Sequence, residues 1–131
     1  MGKATKIALQ ADMVKAGLTA FFNITAKWKL TTSEQRVLLG SPAEATFFKW
    51  KKNPESVNRL THDLLERISY ILGIHKALRI LFSNRQESVY SWIKTPNKAP
   101  LFNGQSALER MLGGNVSDLY AVRKYLDSQR G

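Results

Sequence analysis

Polar and apolar positions follow a helical period through most of this chain. Ala11, Val14, Leu18, Phe21 and Phe22 recur at spacings of three and four, which aligns them on one face of a first helix. Trp28 and Leu30 close that segment onto the core. Thr32-Ser33-Glu34-Gln35 reads as a capping box ahead of Val37-Leu38-Leu39, with Thr32 as N-cap and Gln35 three residues on. Gly40 suits the position just past a helix where φ must be positive. Ser41-Pro42-Ala43-Glu44 restarts a helix, Ser41 capping it, Pro42 and Glu44 filling its first and third positions; it ends near Asn53-Pro54. Two short helices across a glycine-containing turn outline a helix-turn-helix.

The same rhythm continues. Residues 61–72 form a helix that buries Leu64, Leu65, Ile68, Ile71 and Leu72, Gly73 interrupts it, and 74–82 resumes. Ser83-Asn84-Arg85 is a break, 88–93 a short helix, and 96–104 an ordered loop with two prolines, two asparagines and a glycine. A helix over 106–112 ends at Gly113-Gly114, and a last one, capped by Asn115 or Ser117, ends near Leu126. Strand alternation is absent. The pattern predicts an all-α fold: a helix-turn-helix bundle over 1–82, then a small helical part over 83–131.

Charge adds the first chemical direction. Among 131 residues, twenty Lys and Arg against ten Asp and Glu give +10, with a pI near 10.1. Residues 1–76 hold 12 basic and 6 acidic side chains and the rest hold 8 and 4, so the excess is not a tail. Such a balance favours polyanions, because Lys and Arg on phosphates release condensed counterions. Cysteine is absent, which excludes disulfides, thiolate metal sites and a thiol nucleophile. No apolar stretch is long enough to span a bilayer, and no secretory or myristoylation signal follows the basic start, so a cytoplasmic chain without membrane contact is expected.

The densest candidate chemistry lies in Phe47-Phe48-Lys49-Trp50-Lys51-Lys52. Phe47 and Trp50 point inward as anchors, leaving Thr46, Lys49, Lys51 and Lys52 as the DNA-facing set, since a major-groove helix needs donors and small polar groups toward bases and phosphates. The interval from Gly40 to Trp50 is one residue longer than the common helix-turn-helix spacing, so the base-facing register stays open. His62 and Glu66 have a helical metal-binding spacing, but with no further ligand cluster they read as a surface pair. His62 and Asp63, adjacent on a helix, diverge by about 100° and make no triad. No catalytic constellation, metal site or cofactor site is expected. Trp92, with Pro96-Asn97 and Leu101-Phe102-Asn103-Gly104, either covers a small core or frames a protein-binding surface.

Taken in order, these segments resemble the antitoxins of the Xre/MbcA/ParS class that are paired with RES-domain toxins. The resemblance runs almost end to end: 20–24 through Trp28, Leu30-Thr31, 34–40 and 46–52; then 66–74 and 77–82; then Trp92-Ile93, Pro96-Asn97, 102–108, Gly113-Gly114, Leu119-Tyr120 and 122–127. Ala107 stands where the family often has Pro. The resemblance implies a non-enzymatic protein that dimerises, binds operator double-stranded DNA to repress its own operon, and obstructs the active site of an NAD-consuming RES-domain toxin. It places toxin contacts at Trp92, Phe102, Tyr120, Arg123, Leu126, Arg130 and Gly131, with 128–131 as a tail at the toxin's NAD site. The alternative is a stand-alone helix-turn-helix regulator without a toxin partner.

Overall fold

The computed structural model describes residues 3–130, with side chains from Gln10 to Arg130. Seven α-helices account for most of these residues; apart from one isolated bridge between Pro96 and Ser106, the described residues pair no strands. Helix α1 (Lys3–Lys27) buries Val14, Leu18, Phe21 and Ile24, a stripe at helical spacing, and Trp28 is buried just past its end. The chain turns at Lys29, whose φ is +58°, and enters α2 (Thr32–Leu38).

The cap of α2 is Thr31, one residue before the expected Thr32. The Thr31 hydroxyl accepts from Glu34 N (3.1 Å) and Thr31 N donates to Glu34 Oε1 (2.8 Å). Two overlapping Thr-x-x-acceptor patterns compete here, and burial decides between them. Gln35 is buried, its Nε2 donating to Leu30 O at 3.1 Å, and so is unavailable to cap.

Gly40 has the expected positive φ (+85°), but Ser41 follows it at +58° and caps nothing. Helix α3 (Glu44–Lys52) instead begins after Ala43, without a side-chain cap, and Pro42 stands outside it. The Pro42 carbonyl accepts from Arg36 Nε (3.2 Å) and Nη2 (2.8 Å), so the turn is latched by an arginine of α2. A single turn of 3-10 helix (Pro54–Ser56) leads to the next long helix.

Helix α4 (His62–Leu81) is capped by Thr61 and runs through Gly73 without a break, contrary to the sequence expectation. A helix tolerates an interior glycine at about 1 kcal/mol, less than the packing around it supplies. Gly73 leaves room for the Arg123 guanidinium, which a Cβ there would push aside. Leu65, expected inside, is 43% exposed, while Ile68, Ile71, Ile74, Ala77 and Leu78 form the buried face.

Beyond Phe82 come α5 (Gln86–Ser91), a 3-10 turn (Trp92–Lys94), the ordered loop, α6 (Ala107–Met111) and α7 (Val116–Gln129). Ser106 caps α6 with a box to Glu109, and Asn115 occupies the cap position of α7 without a side-chain bond. The loop closes on itself through Asn97 N to Gln105 O (3.0 Å) and Gly104 N to Asn97 O (2.8 Å). Helix α7 runs three residues past the expected Leu126, so Ser128 and Gln129 are helical rather than a free tail. One core unites the chain, because α4 packs along both α1 and α7.

Candidate nucleic-acid and partner interfaces

The outward face of α3 follows from its one fully buried side chain. Phe47 is sealed against Phe22 (ring centroids 5.6 Å) and Phe48 (5.4 Å), both edge-on. Residues half a turn away must face solvent, and Thr46, Lys49 and Lys52 do. Trp50 is half-buried at the margin of the core, less enclosed than the anchor position suggests. Lys51 is solvent-exposed, but its amine turns back toward α1 and α2. Its Nζ sits 5.9 Å above both Phe22 and Phe47 and donates to Gln35 Oε1 at 3.5 Å. Thr46, Lys49 and Lys52 are thus brought together on one free face and Lys51 is held apart. The placement of Lys51 was hidden because Gln35 lies 16 residues away.

The C-terminal candidates divide between surface and core. Phe102 and Leu126 are 2% and 1% exposed and offer a partner no surface of their own; the aromatic and aliphatic bulk proposed for docking is spent inside this chain. Trp92 is half-buried, edge-on to Phe102 (5.8 Å) and stacked on Tyr125 (6.3 Å). Tyr120 is 48% exposed and meets Tyr70 edge-on at 5.7 Å, with Lys124 Nζ 6.0 Å above its ring. The Tyr70 hydroxyl donates to Glu66 Oε1 (2.9 Å), and that bond, helped by burial, pushes its pKa up. Arg123 and Arg130 share Asp127, through Nε at 3.2 Å and Nη1 at 3.3 Å. Tyr120 and Arg123 therefore lie on α7 and Arg130 at its C-cap, with Asp127 shared by the two arginines. Gly131 lies outside the described residues.

Sequence spacing missed Arg67. It is 8% exposed, pairs with Asp63 Oδ2 (2.8 Å), donates Nη2 to Gly114 O (3.0 Å), and lies 3.1 Å from where a Cβ on Gly40 would stand. One guanidinium thus touches the helix-turn-helix turn, α4 and the turn before α7. Its Asp63 neighbour at four residues was visible in the sequence; the contact 47 residues away was not. His62 and Glu66 form an exposed pair at 3.7 Å, and the described residues contain no cluster of three or more potential metal ligands.

Family models match both halves of the chain. Residues 8–73 match the antitoxin Xre-like helix-turn-helix domain, and residues 77–131 match the antitoxin Xre/MbcA/ParS C-terminal toxin-binding domain. The chain belongs to the Xre-like antitoxins. The antitoxin is also 52% identical over 118 residues to the uncharacterized protein y4oB of Sinorhizobium fredii (strain NBRC 101917 / NGR234), covering 90% of this chain and 87% of that one. A helix-turn-helix and a toxin-binding domain together imply DNA and a toxin as partners. The two matches meet inside α4, the helix that both halves of the antitoxin share. Among the described residues no helix is long and apolar enough to cross a membrane.

Proposed function

We propose that this antitoxin neutralises a RES-domain, NAD-consuming toxin and represses its own operon as a homodimer bound to operator DNA. The observation that carries the reading is the free Thr46, Lys49 and Lys52 face on a helix that belongs to an Xre-like domain and shares a core with a toxin-binding domain. In this reading residues 1–82 serve DNA and residues 83–131 serve the toxin. Lys49 and Lys52 contact phosphates, Thr46 faces the bases, and a second protomer reads the other half-site. Trp92, Tyr120 and Arg123 dock the toxin while Arg130 and Gly131 reach its NAD site. A guanidinium there matches a pocket built for an anionic dinucleotide.

Truncation separates docking from occlusion. A chain ending at Asp127 retains Trp92, Tyr120 and Arg123 and should still bind a RES-domain toxin by calorimetry, yet leave residual NAD turnover at saturating antitoxin. Complete inhibition by the shortened chain would assign occlusion to the helical body, and no binding by the full chain would remove the RES toxin as partner. Two protomers per operator duplex by sedimentation are expected for the DNA arm; one would contradict the dimer.

A further inference from the structure

The outward face of α3 is short of charge for a chain of +10. Only Lys49 and Lys52 project freely from it, and each amine on a phosphate contributes about 0.9 to the slope of log K against log [salt]. A second set of amines, none of them ion-paired among the described residues, gathers at the corner where α1 passes into α2. Lys29 forms that corner, two residues before the Thr31 cap of α2. Lys94, from the other half of the chain, is brought to it: its Nζ donates to Lys29 O at 3.0 Å across 65 residues. Lys27 stands at the end of α1 with Nζ 5.6 Å above the Tyr90 ring. The three lysines rim an open hollow of about 410 Å³ walled by Trp28, Tyr90 and Glu87.

We infer that Lys27, Lys29 and Lys94 form a second DNA contact, gripping the phosphate backbone beside the helix-turn-helix. This rests on the DNA-binding reading above. The first helix of a helix-turn-helix crosses the backbone, so the corner that enters α2 lies over phosphates. None of the three takes part in the ion pairs among the described residues, Glu87 in the hollow engages none of them, and the single contacts of Lys94 to a carbonyl and Lys27 to a ring leave N–H donors over on each ammonium. His75, stacked on Tyr90 at 6.0 Å, has its pKa lowered by burial first and then by Arg79 and Lys27. A protein partner would want an exposed aromatic anchor, whereas Trp28 is 1% exposed and Tyr90 is half-buried with Lys27 over its ring. Point charges on flexible stems suit sequence-independent phosphate contacts.

The test is fluorescence anisotropy of the full chain across a salt series. The probes are a duplex taken immediately upstream of its own reading frame and a scrambled duplex of equal length. Lys27→Ala, Lys29→Asn and Lys94→Ala are combined, Asn being tolerant of the positive φ at 29. The triple variant should flatten the slope by about 2–3 on both duplexes, the all-arginine triple should keep it, and Glu87→Lys should steepen it by about one. An unchanged slope in the folded triple variant overturns the inference, as does equal loss in the arginine triple. Loss of toxin binding with an unchanged slope overturns it too, assigning the hollow to an acidic protein surface. Should the triple variant fail to fold, Glu87→Lys decides alone: steepening supports the contact and no change overturns it. If the unsubstituted chain binds neither duplex, the DNA-binding reading itself falls, whatever the variants do.

Discussion

The segments on either side of Thr61 differ in that only the second ties cations to carboxylates among the described residues. From His62 onward four of the arginines are tied down in ion pairs: Arg67 to Asp63, Arg110 to Asp118, and Arg123 and Arg130 to Asp127. Between Gln10 and Thr61 no ion pair forms among the described residues; Arg36 serves a carbonyl, Lys51 leans on aromatic rings, and Lys49 and Lys52 stand in solvent. An arginine fork holds turns in place, as Arg110 does by joining Asp118 to Leu101 O at 3.3 Å. An unpaired lysine meets a phosphate without first giving up an acidic partner. Charge is therefore structural in these four arginines and available on the outward face of α3.

The difference can be broken most forcefully at α3, which hangs on a single buried ring. Phe47→Ala should cost about 3–5 kcal/mol and remove the α3 share of the salt-dependent DNA binding with it, read by urea unfolding and anisotropy. A cost below about 1 kcal/mol would mean that α3 is held by its turn and not by its anchor.

Next comes the arginine that joins the two regions. Arg67→Met keeps the apolar stem but strips the bond to Gly114 O, and should destabilise by about 1–3 kcal/mol. Hydrogen exchange should rise at the turn before α7 and around Gly40. Unchanged protection at both places would show that Arg67 fills space without linking them.

A smaller effect is expected at Gly73. Alanine gains about 1 kcal/mol of helix propensity but pushes the Arg123 side chain aside, so stability should change by less than about 1 kcal/mol. Toxin affinity should weaken, because a displaced guanidinium can no longer hold Asp127 as it does here. Full affinity by calorimetry would show that Arg123 is a bystander in docking.

The smallest effect concerns pH. The folded pKa of His75 lies below 6.5, so on acidification the unfolded chain takes up its proton first. Its contribution to stability is therefore flat above about pH 6.5 and falls as the pH drops toward the folded value. His75→Gln should make the fall in melting temperature between neutral and mildly acidic pH shallower. An identical fall in both proteins would place the acid sensitivity elsewhere.

Local rules carried the sequence reading a long way. The apolar stripe of α1, positive φ at Gly40, the break at Ser83-Asn84-Arg85, the cap at Ser106 and the ordered loop all follow from neighbours a few residues apart. The misreadings share a cause. Thr32 looked like the cap because Gln35 stands three residues on, but Gln35 is needed in the core, and Ser41 looked like a cap until Arg36 latched Pro42. Gly73 looked like a break because composition cannot register an arginine lying across the helix from α7. Phe102 and Leu126 looked like docking residues, yet the same apolar chemistry suits a core, and only packing chooses between them.

The sequence alone determined helix content, the helix-turn-helix outline, the excess of positive charge and the family likeness, since periodicity, capping and composition act over a turn or two of chain. Tertiary structure decided which cations are free. Lys94 reaches Lys29 across 65 residues and Arg67 reaches Gly114 across 47, and such partners are set by how α1, α4 and α7 pack. No local pattern encodes those distances, because each depends on the summed burial of a whole core rather than on the preferences of either residue.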